Sequence, residues 1–211
     1  MMDFISYVEH HANMPLSKEH KAETRARIIG AAAPLFRQYG FHGVGIDKLM
    51  AAAGLTRGGF YAHFSSKTAL FAEVVRSEHP LVTHLVERDG RDAVSLWRQM
   101  HDIFAQYLAQ ENLDTVVAGC TLTALTADAG KVDDPDLAAA WEDGFAAIVG
   151  ELARGQPEGP ERPEWSSAYL LTVGSLLAAK AAQSEGLRRQ ILDGALAQFR
   201  AILAPLAPPG A

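Results

Sequence analysis

Between Gly40 and Leu70 the chain reads GFHGVGIDKLMAAAGLTRGGFYAHFSSKTAL, and this order of parts leaves few folds open. Ile46, Leu49, Met50 and Ala53 fall on one face of a short helix that opens at Gly45. Gly54 then permits a sharp, left-handed turn that a residue with a Cβ resists. Thr56 is placed to cap a third helix, Thr56 to Phe64, by accepting from amides two or three residues on. Ser65 or Ser66 does the same for a fourth, which starts at Lys67 and runs until Pro80. Two short helices about a glycine turn make a helix-turn-helix, whose second helix is shaped to lie in a DNA major groove.

The residue types of that second helix suit the same purpose. Gly58 and Gly59 each cost about 1 kcal/mol relative to alanine in a helix, and close approach to a sugar-phosphate rail accounts for them. Arg57 can read guanine bidentately or clamp a phosphate. Tyr61 and His63 can donate to phosphate oxygens, while Phe60 and Phe64 face inward. Lys67, in the first turn of the next helix, joins free amides and the positive end of the helix dipole as a phosphate seat. Most such contacts position the protein, and only one to three side chains remain to specify sequence.

Helical periodicity holds on both sides of this stretch. Ile28, Ile29, Ala32, Leu35, Phe36 and Tyr39 recur at steps of three and four, with Gly40 as the stop. Beyond Gly90, Trp97, Met100, His101, Phe104, Tyr107 and Leu108 form one broad stripe. Asn112 to Gly119 is a break, Cys120 to Ala129 a short helix, and Pro135 opens another at a first-turn position. Gly155 to Glu164 is a loop, followed by helices Trp165 to Ser184 and Leu187 to Leu203, divided at Glu185-Gly186. No strand-like alternation of useful length appears, so the expected class is all-α. The expected organisation is a loose arm over 1–16, a helix-turn-helix domain over 17–66, a helical body over 67–204 and a frayed tail over 205–211.

The overall net charge of −6 argues against a chain that coats nucleic acid indiscriminately. It conceals an asymmetry: residues 1–70 carry a net +3 and residues 71–211 a net −9. A basic head on an acidic body suits a polyanion met at one end only. The single cysteine, Cys120, precludes an intrachain disulfide, which fits a reducing cytoplasm. No run of about 18 apolar residues suggests a membrane span, and the N-terminus lacks the form of a signal peptide. A cytoplasmic location is expected.

Thr24 to Val74 closely resembles the N-terminal domain of TetR-type transcriptional regulators. The matching parts are ARIIGAAAPLFRQYGFHGVGIDKLM, AAAGLTRGGFYAHF and SSKTALF. The aromatic-His-Phe followed by a Ser-Lys helix start is the most specific piece. The resemblance implies an all-α homodimer whose two heads read a palindromic double-stranded operator, most often as a repressor. It also implies a divergent C-terminal domain that a small-molecule effector occupies to release DNA. By position it carries DNA contact onto Thr56, Arg57, Gly58, Tyr61, His63 and Lys67, together with Lys48. Gly45 departs from the Ser or Thr that opens the second helix in many members, and offers no side-chain oxygen.

A palindromic site demands a twofold protein, so a dimer surface is expected. The last two helices are the candidates, through Val173, Leu177, Ile191 and Phe199, with small residues such as Gly174 and Ala178 beside them. Four helices paired across an axis would cross at about +20°. The competing reading is that these stripes face the protomer's own core. For the effector, Trp97, His101, Phe104, Cys120, Trp141 and Phe145 are candidate pocket residues, and plain core packing is again the alternative. Cys120 at a helix start is also a candidate thiol sensor of electrophiles or oxidants. No phosphate-cradling loop, nucleophile elbow or metal-binding Cys/His cluster appears, so neither enzyme activity, cofactor nor metal is expected. A ligand-independent architectural or activator protein remains the rival function.

Overall fold

The computed structural model describes residues 18–77, 79–115, 120–157 and 159–211. The expected arm over 1–16, with His10 and His11, and the last part of the break before Cys120 lie outside them. Among the described residues every regular element is helical: α1 (Lys18–Gly43), α2 (Ile46–Ala52), a 3-10 helix (Arg57–Ala62), α3 (Lys67–Ser77), α4 (Pro80–Val86), α5 (Ala93–Tyr107), α6 (Thr121–Ala129), α7 (Pro135–Ala153), α8 (Pro163–Ala181) and α9 (Glu185–Leu203).

The local signals act largely where expected. Gly40 leaves helical geometry at φ 71, ψ 173, so α1 is broken there although a last turn follows. Gly54 takes φ 70 at the turn. Ser66 Oγ accepts from Ala69 N at 3.0 Å and starts α3. Asp134 caps α7 through Leu137 N, with Pro135 in the first turn. Asp92 and Ser95 build a reciprocal capping box at the start of α5.

Three expectations are corrected. The expected α-helix Thr56 to Phe64 is a shorter 3-10 helix, and Thr56 makes no side-chain cap. Two consecutive glycines weaken an α-helix, and the tighter spiral is held instead by Gly59 N to Thr56 O (3.1 Å) and His63 N to Phe60 O (2.9 Å). The division between the last helices falls at Ala182-Gln183-Ser184, because Ser184 Oγ accepts from Leu187 N and draws Glu185-Gly186 into the first turn of α9. The expected frayed tail is packed: Ala204–Leu206 form a 3-10 turn, Leu206 and Pro208 are buried, and Arg98 donates to Gly210 O.

One hydrophobic core runs from the head into the body. Its hinge is α3, whose Phe71 ring meets Phe36 at 4.9 Å and Phe41 at 5.0 Å while Leu70, Val74 and Val75 are fully buried. The head and body are therefore not joined by a free linker: α3 packs on α1 on one side and α7 on the other. The far end of α4 is fixed by a buried polar knot. Arg88 donates to the carbonyls of Leu85, Leu96 and Glu151, and Arg154 to those of Leu85, Val86 and Arg88. The Glu151 carboxylate lies beside both guanidiniums. Burial, and then the neighbouring Arg154 charge, bring the Arg88 pKa down to about 10.

Candidate nucleic-acid interface

Thr56, Arg57, Gly58 and Tyr61 lie exposed on one face of the 3-10 helix, while Phe60 and Phe64 turn into the core. This is the division a reading element needs: an apolar side that packs into the core and a polar side that stays exposed. Tyr61 is 64% exposed. A Cβ on Gly58 would point into open space, so its lack of a side chain leaves the backbone approachable from outside. Gly59 instead faces Met50 at an ordinary 3.8 Å.

The basic groups are less free than the exposed face suggests. Arg57 Nη1 donates to Asp47 Oδ2 on α2 at 2.8 Å. Lys48 Nζ sits 3.6 Å from the centre of the Tyr39 ring, a cation–π contact. Lys67 is used internally: its ammonium donates to Phe41 O at 2.8 Å and Val44 O at 3.2 Å, and lies over the Phe41 ring. Burial draws its pKa below the usual lysine range. It thus closes the α1–α2 turn, and one of its three donors remains for a phosphate. His63 is half-buried, and burial, then the charges of Lys21, Arg25 and His20, hold its imidazole below the ordinary 6.5.

Asp47, Tyr39 and the Phe41 carbonyl were missed in the sequence as partners of these groups. Asp47 carried a usable signal, an acid in the first turn of α2 ten residues before Arg57. Tyr39 and Phe41 carried none, since both read as core or helix-end residues. The head is further braced by Arg25, which donates to Glu73 on α3 at 2.9 Å and lies over the Phe64 ring. Guanidinium contacts from Arg25, together with the Arg76 charge, hold the Glu73 carboxyl below its ordinary range.

Head and body meet at α6. Asp128 Oδ2 accepts from Phe41 N at 2.8 Å, immediately after the Gly40 break, and a Cβ at Gly40 would lie 2.5 Å from that oxygen. Arg37 Nη1 reaches Thr121 Oγ1 at 3.3 Å at the other end of α6.

The six residues expected to line an effector pocket fall into two aromatic groups, with Cys120 between them beside Tyr107 and Tyr169. Trp97, His101 and Phe104 cluster on Phe199, with Phe104 and Phe199 stacked at 4.3 Å and His101 between Trp97 and Phe199. Trp141 stacks on Phe145 at 5.3 Å, and Phe145 leads to Tyr169. Cys120 is buried beside Tyr107 and Tyr169; burial, then the neighbouring thiol, push both phenols well above their ordinary range. Of the four expected dimer residues, Phe199 is 0% exposed and Val173 is buried in the protomer's own core, Ile191 is half-buried and Leu177 is exposed. Phe199 cannot therefore face a partner, because the Phe104 ring already occupies its face.

The short α2, the turn at Gly54 and the 3-10 helix with its exposed face make a helix-turn-helix. Residues 28–74 match the model of the bacterial regulatory proteins, tetR family. The uncharacterized HTH-type transcriptional regulator YdgC of Bacillus subtilis is 39% identical over 70 residues, 33% of this chain and 36% of that protein. The HTH-type transcriptional repressor NemR of Escherichia coli is 25% identical over 206 residues, covering 90% of this chain and 98% of NemR. The crystal structure of reduced E. coli NemR superposes with a TM-score of 0.65 at 22% identity, over 90% of this chain and 100% of that one. SmeT, the repressor of a Stenotrophomonas maltophilia multidrug efflux pump, superposes with a TM-score of 0.54 at 22% identity, over 88% and 91%. Residues 28–74 thus carry a head of the tetR-family type, and the solved structures it superposes on share the fold over most of the chain. Both YdgC and NemR are HTH-type transcriptional regulators, and no helix among the described residues is long and apolar enough to cross a membrane.

Proposed function

We propose that the chain is a dimeric, ligand-responsive repressor that binds a palindromic operator through Thr56, Arg57, Gly58, Tyr61 and His63, with Lys48 and Lys67 at the edges. The observation that carries this reading is the exposed Thr56-Arg57-Gly58-Tyr61 face, anchored from behind by the buried Phe60 and Phe64. One such face spans too few base pairs for specificity, so a second copy is required. The outer faces of α8 and α9 supply the surface. Leu170, Leu177 and Leu187 are 50%, 39% and 47% exposed, and Gly174, Ala178, Gly194 and Ala197 lie between them. Small residues allow two such helix pairs to approach closely. This places the interface on the opposite side of α8 and α9 from Phe199.

The effector is a small hydrophobic or electrophilic compound that acts on the body. The buried Cys120 with the Tyr107 and Tyr169 hydroxyls around it favours the electrophilic class, since polar groups converge there on a thiol. DNA selected from a random pool by the purified protein should be palindromic, and sedimentation should show a dimer on it. A selected half-site bound by a monomer overturns the reading. Retention of the complex against a broad compound panel and against thiol alkylation supports instead a ligand-independent architectural or activator role.

A further inference from the structure

Where α6 ends and α7 begins, the surface opens into a cleft of about 320 Å³ lined by Thr126, Ala129, Gly130, Ala138, Trp141 and Glu142. It continues across Ala129, Gly130 and Ala138 into a second hollow of about 430 Å³ that reaches Asp133 and Asp134. The groove contains none of the residues of the DNA face and lies outside the Cys120 cluster.

Its chemistry is specific. Trp141 forms one wall, its ring backed by Phe145 at 5.3 Å and its indole N–H donating to Thr126 Oγ1 at 3.0 Å, so that the ring orientation is fixed from two sides. The Thr126 hydroxyl in turn donates to Leu122 O, which ties the wall to the α6 backbone. Ala129, Gly130 and Ala138 make a small-residue floor. The carboxylates of Asp133 and Glu142 are exposed at the rim, and no salt bridge among the described residues neutralises either. Asp134 adds a third carboxylate, though one of its oxygens caps α7. The one cation of the groove, Lys131, leans 3.8 Å from Asp128 and is offset by it. A pre-oriented indole face beside uncompensated carboxylates attracts a positive charge mounted on an apolar body.

We propose that this groove binds a small aromatic or aliphatic organic cation, with the charged centre between Trp141 and Glu142. The site borders the head's anchor: Ala129 and Gly130 directly follow Asp128, the acceptor for Phe41 N. A ligand that displaces this segment alters the seat of the head, and by linkage DNA and cation then change each other's affinity. That consequence rests on the DNA-binding reading, whereas the binding site does not.

The test uses the full chain without DNA and benzyltrimethylammonium as probe, with neopentylbenzene as its neutral carbon isostere. Saturable binding of the cation is expected, with quenching of tryptophan fluorescence. Glu142→Gln should weaken it about fivefold, the scale of a partly desolvated cation–aromatic contact beside a carboxylate. Trp141→Phe keeps an aromatic wall and should retain binding but lose the quench, since Trp97 and Trp165 are buried elsewhere. Equal affinity for the neutral isostere, an unaltered Kd in Glu142→Gln, or no saturable binding overturns the proposal. Because these readouts need no DNA, their failure leaves the DNA-binding reading intact, and failure of the latter leaves them unaffected.

Discussion

Arg57 Nη1 lies 2.8 Å from Asp47 Oδ2, so the arginine best placed to meet DNA is already held by a carboxylate from the preceding helix. Both side chains are largely exposed, and such a pair contributes about 0–1 kcal/mol to stability. Its effect is on direction: the pair orients the guanidinium, and Asp47 repels phosphates. Asp47→Asn should therefore leave the melting temperature nearly unaltered while raising affinity for random-sequence DNA, measured by anisotropy at two salt concentrations. Arg57→Ala should weaken specific binding by about 1–3 kcal/mol if Arg57 reads a base. A uniform loss with a salt slope reduced by about one assigns it to phosphate instead.

Lys67 provides a separable case. Its amine donates to the carbonyls of Phe41 and Val44, so Lys67→Met should destabilise the free protein by about 1–3 kcal/mol through two half-buried acceptors left unmet. Denaturant unfolding without DNA reads this directly. An unchanged midpoint with weakened DNA binding would reduce Lys67 to a phosphate contact.

The outer faces of α8 and α9 and the core beneath them give opposite expectations. Leu177→Glu should yield a folded monomer by sedimentation, with weaker DNA binding, since Leu177 is exposed in the protomer. Phe199→Ala should instead cost about 3–5 kcal/mol of protomer stability, because its ring stacks on Phe104 at 4.3 Å in the core. Dissociation of a fully stable Phe199→Ala dimer would contradict this division.

The histidines set the response to acid. Burial, then Lys21, Arg25 and His20, lower the His63 pKa; burial, then Arg200, lower that of His101 against the opposing Asp102. The folded chain thus takes up these protons less readily than the unfolded one. Their contribution to stability is complete above the unfolded value near 6.5 and is lost as pH falls below it toward the folded pKa values. Unfolding midpoints should fall as pH drops below about 6.5, and His101→Gln should flatten that fall. A profile flat across this range is the contrary result.

Gly40→Ala tests the joint between head and body. At φ 71, ψ 173 an alanine costs roughly 1–3 kcal/mol of backbone strain, and its Cβ would press on Asp128 Oδ2. Asp128→Asn keeps an acceptor for Phe41 N and should be milder by denaturant unfolding. Equal losses would assign the effect to the carboxylate rather than to the backbone.

Much of this architecture was legible in the sequence because local signals set it. Gly40, Gly54, Ser66 and Pro135 act through their own backbone or the next few amides, and the inward Phe60 and Phe64 follow from spacing. What escaped were relations between distant residues. Periodicity located the apolar stripes of α8 and α9, but nothing in it tells which side of a helix apolar around most of its girth meets Phe104 and which stays outside. Likewise Arg57 and Lys67 were legible as basic groups at helix starts, whereas their engagement by Asp47 and by two carbonyls depends on how α1, α2 and α3 close on each other. The 3-10 form of Arg57–Ala62 escaped because a threonine before a helix start and two glycines do not by themselves distinguish the tighter spiral.

The break at Gly40 has a mechanical meaning. A continuous rod would hand any twist of its far end straight to its near end, but α1 ceases to be a rod one residue before Asp128 catches the Phe41 amide. A push from the body would reach the head from the side, through the short α6 and its contact at Phe41. Sliding of the α6 end would then act across the width of the head rather than along the length of a helix.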